Sequence, residues 1–301
     1  MKTCQNFHLA KTIDDALAAI KHSAGEVAVL AGGTDLLLDI QQGRHSIVDL
    51  MVDITSIPEL KKLELRGDEI FIGAGVTHRK ITNDSLIIEH ARALAEASGL
   101  IGGPQVRNVA TLGGNVAHAL PAADGTIALM SLNARVEIAS EKGRRIAPLA
   151  ELFRGPGQNT LDPRSEILVG ILLPLREEGQ ASAFKRVMRP QGVAIAILNC
   201  AVWLHREGEL IRDVRISIGP SGPTPRRLAD AEAVLRGQPY NVDLIEEAYQ
   251  AILGEASFRT SRHRATKAYR EAMAGVLLSD TFQAAWERAG LLETASGGSK
   301  Q

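Results

Sequence analysis

Apolar positions near the N-terminus change period twice within fifty residues. Ile13, Ala16, Leu17 and Ile20 recur at helical spacing behind Thr12, which is placed to cap the first turn with Asp15 three positions on. Gly25 stands where a C-terminal cap is expected. Val27-Ala28-Val29-Leu30 is apolar throughout, a short strand running directly into Gly32-Gly33. Leu36-Leu37-Leu38-Asp39-Ile40 reads as a short helix, and residues 47–54 return as a strand. Pro58 marks a boundary, after which Leu63-Glu64-Leu65 and Ile70-Phe71-Ile72 alternate around Arg66-Gly67-Asp68, a hairpin signal. Helical stretches follow over 77–83, 85–98 and 126–133. Residues 135–140 and 144–146 flank Glu141-Lys142-Gly143 as a second hairpin, and a strand over 167–173 stops at Pro174.

From Ala181 the pattern changes. Three strands over 184–188, 193–205 and 211–218 precede helices over 228–235, 242–253 and 265–289. Strands followed by helices predict a separate α+β domain with a three-stranded antiparallel sheet. The expected division is a first domain over 1–176, in two parts (1–57 and 58–176), and a second over 180–290. The small polar stretch 291–301 reads as a flexible tail.

Composition narrows the function. With 301 residues the chain is long enough for two domains of ordinary size. A net charge of −1 gives no general field for nucleic acid or anionic lipid. No apolar run approaches the roughly 18 residues of a membrane helix. The N-terminal Met1-Lys2-Thr3-Cys4 has no apolar core behind it, so no secretory signal is expected and a cytoplasmic address follows. The two cysteines, Cys4 and Cys200, cannot by themselves hold a four-thiolate cluster or a Cys₄ zinc site. A disulfide between them is possible on paper, although cytosolic thiols stay reduced. Cys200 sits in an apolar strand, and both cysteines read as plain residues. The histidines are scattered, no metal site is expected, and Ser261-Arg262-His263-Arg264 reads as a solvated helix start.

The chemistry lies in two glycine-rich segments. Ala31-Gly32-Gly33-Thr34-Asp35 places unhindered backbone N–H groups beyond a strand and ahead of a helix, as a pyrophosphate requires. Thr34 adds a hydroxyl and Asp35 can cap the helix. A turn that merely reverses the chain is the competing reading, and no Gly-x-Gly-x-x-Gly occurs. The second segment runs from Gly102 to Asp124 and contains Thr111-Leu112-Gly113-Gly114-Asn115. It reads as a long loop with a functional purpose. Pro121 stiffens its exit, so Asp124 accepts from a ligand hydroxyl or else caps the following helix. No nucleophile motif or catalytic triad is visible.

The two loops together, with Pro121 and Asp124, resemble the FAD-binding subunit of molybdenum hydroxylases, a family that includes xanthine and carbon monoxide dehydrogenases. The resemblance covers nearly the whole chain. It implies a two-part FAD-binding domain of the p-cresol methylhydroxylase type, followed by the α+β C-terminal domain. It further implies that Val29, Leu30, Ala31, Gly32, Gly33, Thr34, Asp35 and Leu36 wrap the pyrophosphate, that Thr111, Gly114 and Asn115 continue the cradle, and that Asp124 makes a polar contact with FAD. Leu168 would pack on FAD. Lys185 would lie at the isoalloxazine edge, unless it is only a surface cation. Ile101 stands where some relatives carry an aromatic residue. A four-cysteine insert found in some relatives acting on aromatic acyl-CoA is missing.

Non-covalent FAD is implied, since Thr34 and Asp35 offer no attachment and His118 reads as a polar loop residue. Molybdopterin and 2Fe–2S clusters are expected only in partner chains: a large molybdopterin subunit and a small iron–sulfur subunit, arranged as a dimer of heterotrimers. Two other readings stay open at this level. One is a self-sufficient reductase of the same flavin fold, such as the enzyme that makes UDP-N-acetylmuramate. The other is a non-enzymatic nucleotide-binding module.

Overall fold

The polar N-terminal residues form a strand that periodicity alone does not mark. In the structure, a computed structural model that describes residues 2–189 and 195–297, β1 (Cys4–Leu9) lies at a sheet edge with most of its residues exposed. Helix α1 (Ile13–His22) starts where Thr12 Oγ1 accepts the Asp15 N–H at 3.0 Å, while the Asp15 carboxylate accepts from the Lys11 N–H at 2.8 Å. It ends at Ser23 and not at Gly25, whose Cα instead lies against the Asp49 side chain. Strand β2 (Val27–Leu30), helix α2 (Leu36–Gln41) and strand β3 (Val48–Asp53) follow. β1 and β2 flank β3, all parallel, so the loop leaving β2 projects from the carboxyl end of a parallel sheet.

The second part is built on a five-stranded antiparallel sheet. Strands β4 (Leu63–Arg66) and β5 (Glu69–Gly73) form the expected hairpin. Helices α3 (His78–Asn83), α4 (Ser85–His90) and α5 (Arg92–Leu100) follow. The single helix expected over 85–98 is broken at Ala91, whose φ of −137° and ψ of 50° are non-helical. The stretch expected as one long loop contains α6 (Pro104–Val109), with Pro104 in its first turn, and α7 (Leu112–Ala117), capped by Thr111. Helix α8 (Asp124–Ser131) is buried on every side. Strands β6 (Arg135–Ser140), β7 (Gly143–Pro148), β8 (Phe153–Gly155), β9 (Gln158–Asn159) and β10 (Glu166–Pro174) complete this part. The sheet order is β4-β5-β10-β6-β7, and β8 pairs only with β9. Phe71, Ile167, Val169 and Leu172 from one face of this sheet pack on Ala16, Leu17 and Ile20 of α1, which joins the two parts through a shared core.

The C-terminal domain comprises β11 (Gln180–Val187), β12 (Leu198–Glu207), β13 (Leu210–Gly219), α9 (Ala229–Leu235), β14 (Gln238–Pro239), α10 (Val242–Glu255) and α11 (Lys267–Gly297). Its antiparallel sheet has four strands where three were expected. The fourth, β14, is only two residues long and ends in a proline, too short to leave a periodicity. β12 begins at Leu198, whereas the strand expected over 193–205 starts among residues that in part lie outside the described ones. α11 continues to Gly297, so the expected tail is helical over residues 291–297, and 298–301 lie outside the described residues.

Alternation along β12 sends its side chains to two different cores. Leu198, Cys200, Val202 and Leu204 join Phe282, Trp286 and Leu278 of α11, whereas Ala201 and Trp203 join the core of the first domain with Leu94 of α5 and Ile127 of α8. The sheet is therefore sandwiched between its own helices and the first domain. Burial of Cys200 pushes its thiol up to about 12, which leaves it unreactive. Among the described residues both cysteines are free, and no helix is long and apolar enough to cross a membrane.

Candidate functional site

Both glycine segments open onto one cleft of about 990 Å³. The β2–α2 loop, the α5–α6–α7 region, the start of α8, Leu168 of β10, and the C-terminal residues Arg186, Pro220 and Arg270 all contribute to its lining. A volume of this size accommodates a large cofactor.

The first loop is shaped by two glycines with different tasks. A Cβ on Gly32 would lie 2.2 Å from the Val109 carbonyl oxygen and 2.8 Å from Ala110 Cα, so only glycine lets this loop touch the end of α6. Gly33 has φ of +71°, which an L side chain rarely adopts. Among the described residues, no protein acceptor takes the N–H groups of Gly32, Gly33, Thr34 or Asp35. Four successive amides with no partner line the cleft at the start of α2. Asp35 occupies the N-cap position but makes no capping bond with its side chain.

The second segment differs in kind. Leu112 N–H donates to Val76 O at 3.0 Å, Gly113 N–H to Ala74 O at 3.0 Å, and Gly114 N–H to Thr111 Oγ1 at 3.0 Å. The Leu112 and Gly113 amides hold the start of α7 to the segment that leaves β5, and the Gly114 amide is capped by Thr111. Among the described residues the N–H groups of Gly102, Gly103 and Thr111 have no protein acceptor, and all three residues belong to this segment. Asn115 Oδ1 accepts from Thr126 N–H at 3.2 Å and from the Thr126 hydroxyl at 3.3 Å, tying α7 to α8.

Asp124 is buried, and Ala123, not Asp124, holds the N-cap position of α8. Its carboxylate accepts from Arg186 Nη1 and from Asn199 Nδ2, the latter at 2.6 Å. Burial raises its pKa, while Arg186 and Asn199 oppose that shift. The pair joins α8 to β11 across the domain boundary. His78 also lines the cleft, with Nδ1 3.2 Å from the Ser98 hydroxyl. Desolvation, reinforced by the charge of Arg107, pulls its pKa down to about 4, so it is neutral at pH 7.

Fourteen of the fifteen residues singled out from sequence line the cleft: Val29 to Leu36, Ile101, Thr111, Gly114, Asn115, Asp124 and Leu168. Lys185 is not brought there. It pairs across the sheet with Cys200, on the face that meets the helices, and its ammonium lies 3.9 Å from Asp280 of α11. Arg186, one position on, points the other way into the cleft. The sequence pattern did not single out Arg186 or Arg270, and it gave the turn 259–264 no part in the site. Period two along β11 could have indicated Arg186, whereas the turn's place against the first domain leaves no local signal. His263 and Arg264, expected at a solvated helix start, line the cleft. Among the described residues no cluster of His, Cys, Asp or Glu is arranged to hold a metal.

Residues 2–176 match the family model described as the FAD binding domain in molybdopterin dehydrogenase, and residues 182–285 the CO dehydrogenase flavoprotein C-terminal domain. The chain is 31% identical to the xanthine dehydrogenase FAD-binding subunit of Escherichia coli O157:H7 over 268 residues, covering 88% of this chain and 90% of that one. It is 32% identical over 278 residues to the nicotine 6-hydroxylase medium subunit of Paenarthrobacter nicotinovorans, covering 92% and 95%. Its fold superposes on carbon monoxide dehydrogenase from Hydrogenophaga pseudoflava with a TM-score of 0.90 at 27% identity, covering 96% of this chain and 99% of that one. A cleft walled by two glycine segments, on a fold matched from end to end, leaves one assignment: the chain belongs to the FAD-binding subunits of the molybdenum hydroxylase family.

Proposed function

We propose that the cleft holds one FAD without a covalent link and that Gly32, Gly33, Thr34 and Asp35 receive its pyrophosphate. The observation that carries this reading is the run of four unpartnered backbone amides at the cleft wall. Consecutive N–H groups facing one concavity form an anion nest, and the helix start behind them adds a partial positive charge. Val29, Leu30, Ala31, Leu36, Ile101 and Leu168 supply the apolar lining, while Thr111, Gly114 and Asn115 continue the cradle from the opposite wall. Asp124 acts here chiefly through Arg186, which it holds at the cleft, and the free lone pairs of its carboxylate can still accept from a ligand hydroxyl.

Bound FAD supplies a centre that takes up two electrons singly and hands them on. The chain contributes binding, orientation and a dry apolar wall. No nucleophile or acid–base pair is needed for that role. We further propose that the chain works in the cytoplasm beside a molybdopterin-binding large subunit and a 2Fe–2S small subunit, as a dimer of heterotrimers, passing electrons from the clusters to an external acceptor. Co-expression with the two neighbouring candidate chains should yield one complex on gel filtration. A chain that stays monomeric in their presence would sink the assembly.

The cradle is tested more simply. Gly33→Val forces a branched side chain into positive φ, and Gly114→Val fills the facing wall. Each should leave a purified protein with native circular dichroism and no flavin absorbance. Full flavin retention by both would remove the assignment.

A further inference from the structure

One wall of the cleft carries charge that no described residue neutralises. Arg270, on the first turn of α11, is 2% exposed, and its Nε and Nη1 have no hydrogen-bond partner. Arg264 and Arg259 line the same wall. Among the described residues no carboxylate lies within 4.0 Å of any of the three, whereas Arg186 is matched by Asp124 and Arg227 by Glu232. Burial, reinforced by the repulsion of their arginine neighbours, opposes the charge on Arg270 and Arg264. Guanidinium groups stay protonated even so.

The chain builds this cluster locally. Thr266 Oγ1 accepts from Tyr269 N–H at 3.2 Å, and Arg270 N–H donates to Thr266 O at 3.2 Å, which starts α11 with Arg270 turned inward. The preceding turn is closed by Ser261 N–H donating to Ala265 O at 2.9 Å, and it carries Arg264 to the cleft.

We propose that Arg270, Arg264 and Arg259 form a phosphate-binding subsite on the C-terminal wall of the cleft, completed by the phosphates of a dinucleotide. A buried guanidinium with two idle donor nitrogens lacks an acceptor, and the fork of its N–H groups matches phosphate oxygens. Two further arginines favour a dianionic group over a single carboxylate. The phosphates come from one of two sources: the flavin cofactor's own pyrophosphate, or a second, soluble nucleotide that meets the flavin in the same cleft. Only the choice of source rests on the reading of the cleft as a flavin site.

The test uses the full chain stripped of flavin, with R264Q and R270M beside the wild type. Calorimetry with inorganic pyrophosphate should show binding to the wild type that weakens about tenfold or more in each variant. If the phosphates are the flavin's, FAD affinity falls by a similar factor while riboflavin, which has no phosphate, binds unchanged. If they belong to a second nucleotide, FAD affinity holds and NADH binding to the FAD-loaded chain falls instead. Unchanged affinity of R264Q for pyrophosphate, FAD and NADH alike would overturn the subsite. R264Q alters a residue outside the core, so this outcome decides the matter even where R270M fails to fold. A wild-type chain that binds pyrophosphate but no flavin would leave the arginine site standing and remove the flavin reading.

Discussion

His78 shows how a single buried residue ties the cleft to pH. Its imidazole is 1% exposed, its pKa is pulled to about 4, and its ordinary value is 6.5. The unfolded chain therefore binds a proton that the folded chain does not across this interval, so stability is full above pH 6.5 and falls as pH drops toward 4. The difference corresponds to roughly 3 kcal/mol. His78→Gln should flatten this slope in urea titrations between pH 6.5 and 4 while costing little at pH 8. A variant that keeps the wild-type slope would place the titrating group elsewhere. Nothing in the sequence around Thr77-His78-Arg79 marks this histidine, because its partner Ser98 and the charge of Arg107 come from later elements. The glycines of the first loop were legible for the opposite reason. A strand running into Gly32-Gly33 already states that the backbone must do what other residues resist, and the structure adds only which glycine meets Val109 and which turns to positive φ.

At the scale of an element, β11 shows what alternation decides. Adjacent residues of a strand point to opposite faces, so Lys185 reaches Asp280 while Arg186 reaches Asp124. The two substitutions should differ sharply in consequence. Lys185→Met removes a half-exposed pair at 3.9 Å and should change stability by no more than about 0.5 kcal/mol. Arg186→Met leaves the Asp124 carboxylate buried without its cation and should cost about 3–5 kcal/mol in equilibrium denaturation. Reversed costs would mean that the strand carries the opposite phase, and equal costs that Arg186 does not sustain the Asp124 charge. Register was the part of this element hidden from sequence. The pattern over 184–188 announces a strand, but which face meets α8 depends on packing against the first domain. The second glycine segment departs from expectation for a related reason. Gly113 and Gly114 predict open backbone, yet Thr111 and the carbonyls of Ala74 and Val76 take up the N–H groups and wind the segment into α7.

At the scale of the whole molecule, one acid ties several elements of the two halves together. Glu96 of α5 accepts from the Phe184 N–H of β11 at 2.9 Å and from Arg288 Nη2 of α11 at 2.6 Å, while Arg288 Nη1 donates to Ser182 O at 2.8 Å. Ser182 Oγ in turn accepts from Ala93 N–H at 3.1 Å. Three elements from two domains thus close on a single side chain, and the cleft, lined from both, keeps its shape only while they stay together. Hydrophobic periodicity announces both domains and says nothing of this joint, because the partners lie 88 and 192 residues away from Glu96. Glu96→Ala leaves the Phe184 N–H buried and unpaired and leaves Arg288 with only the Ser182 carbonyl. The cost should be about 2–3 kcal/mol, and a single calorimetric transition should separate into two as the domains uncouple. Glu96→Gln keeps an acceptor for Phe184 and loses only the charge, so it should cost under about 1 kcal/mol and leave one transition. A Glu96→Ala protein that still unfolds in one step would show that the apolar contacts of Phe184, Ala201 and Trp203 with α5 and α8 suffice to couple the halves. In that case the cleft would owe its shape to packing, and flavin retention should survive the substitution.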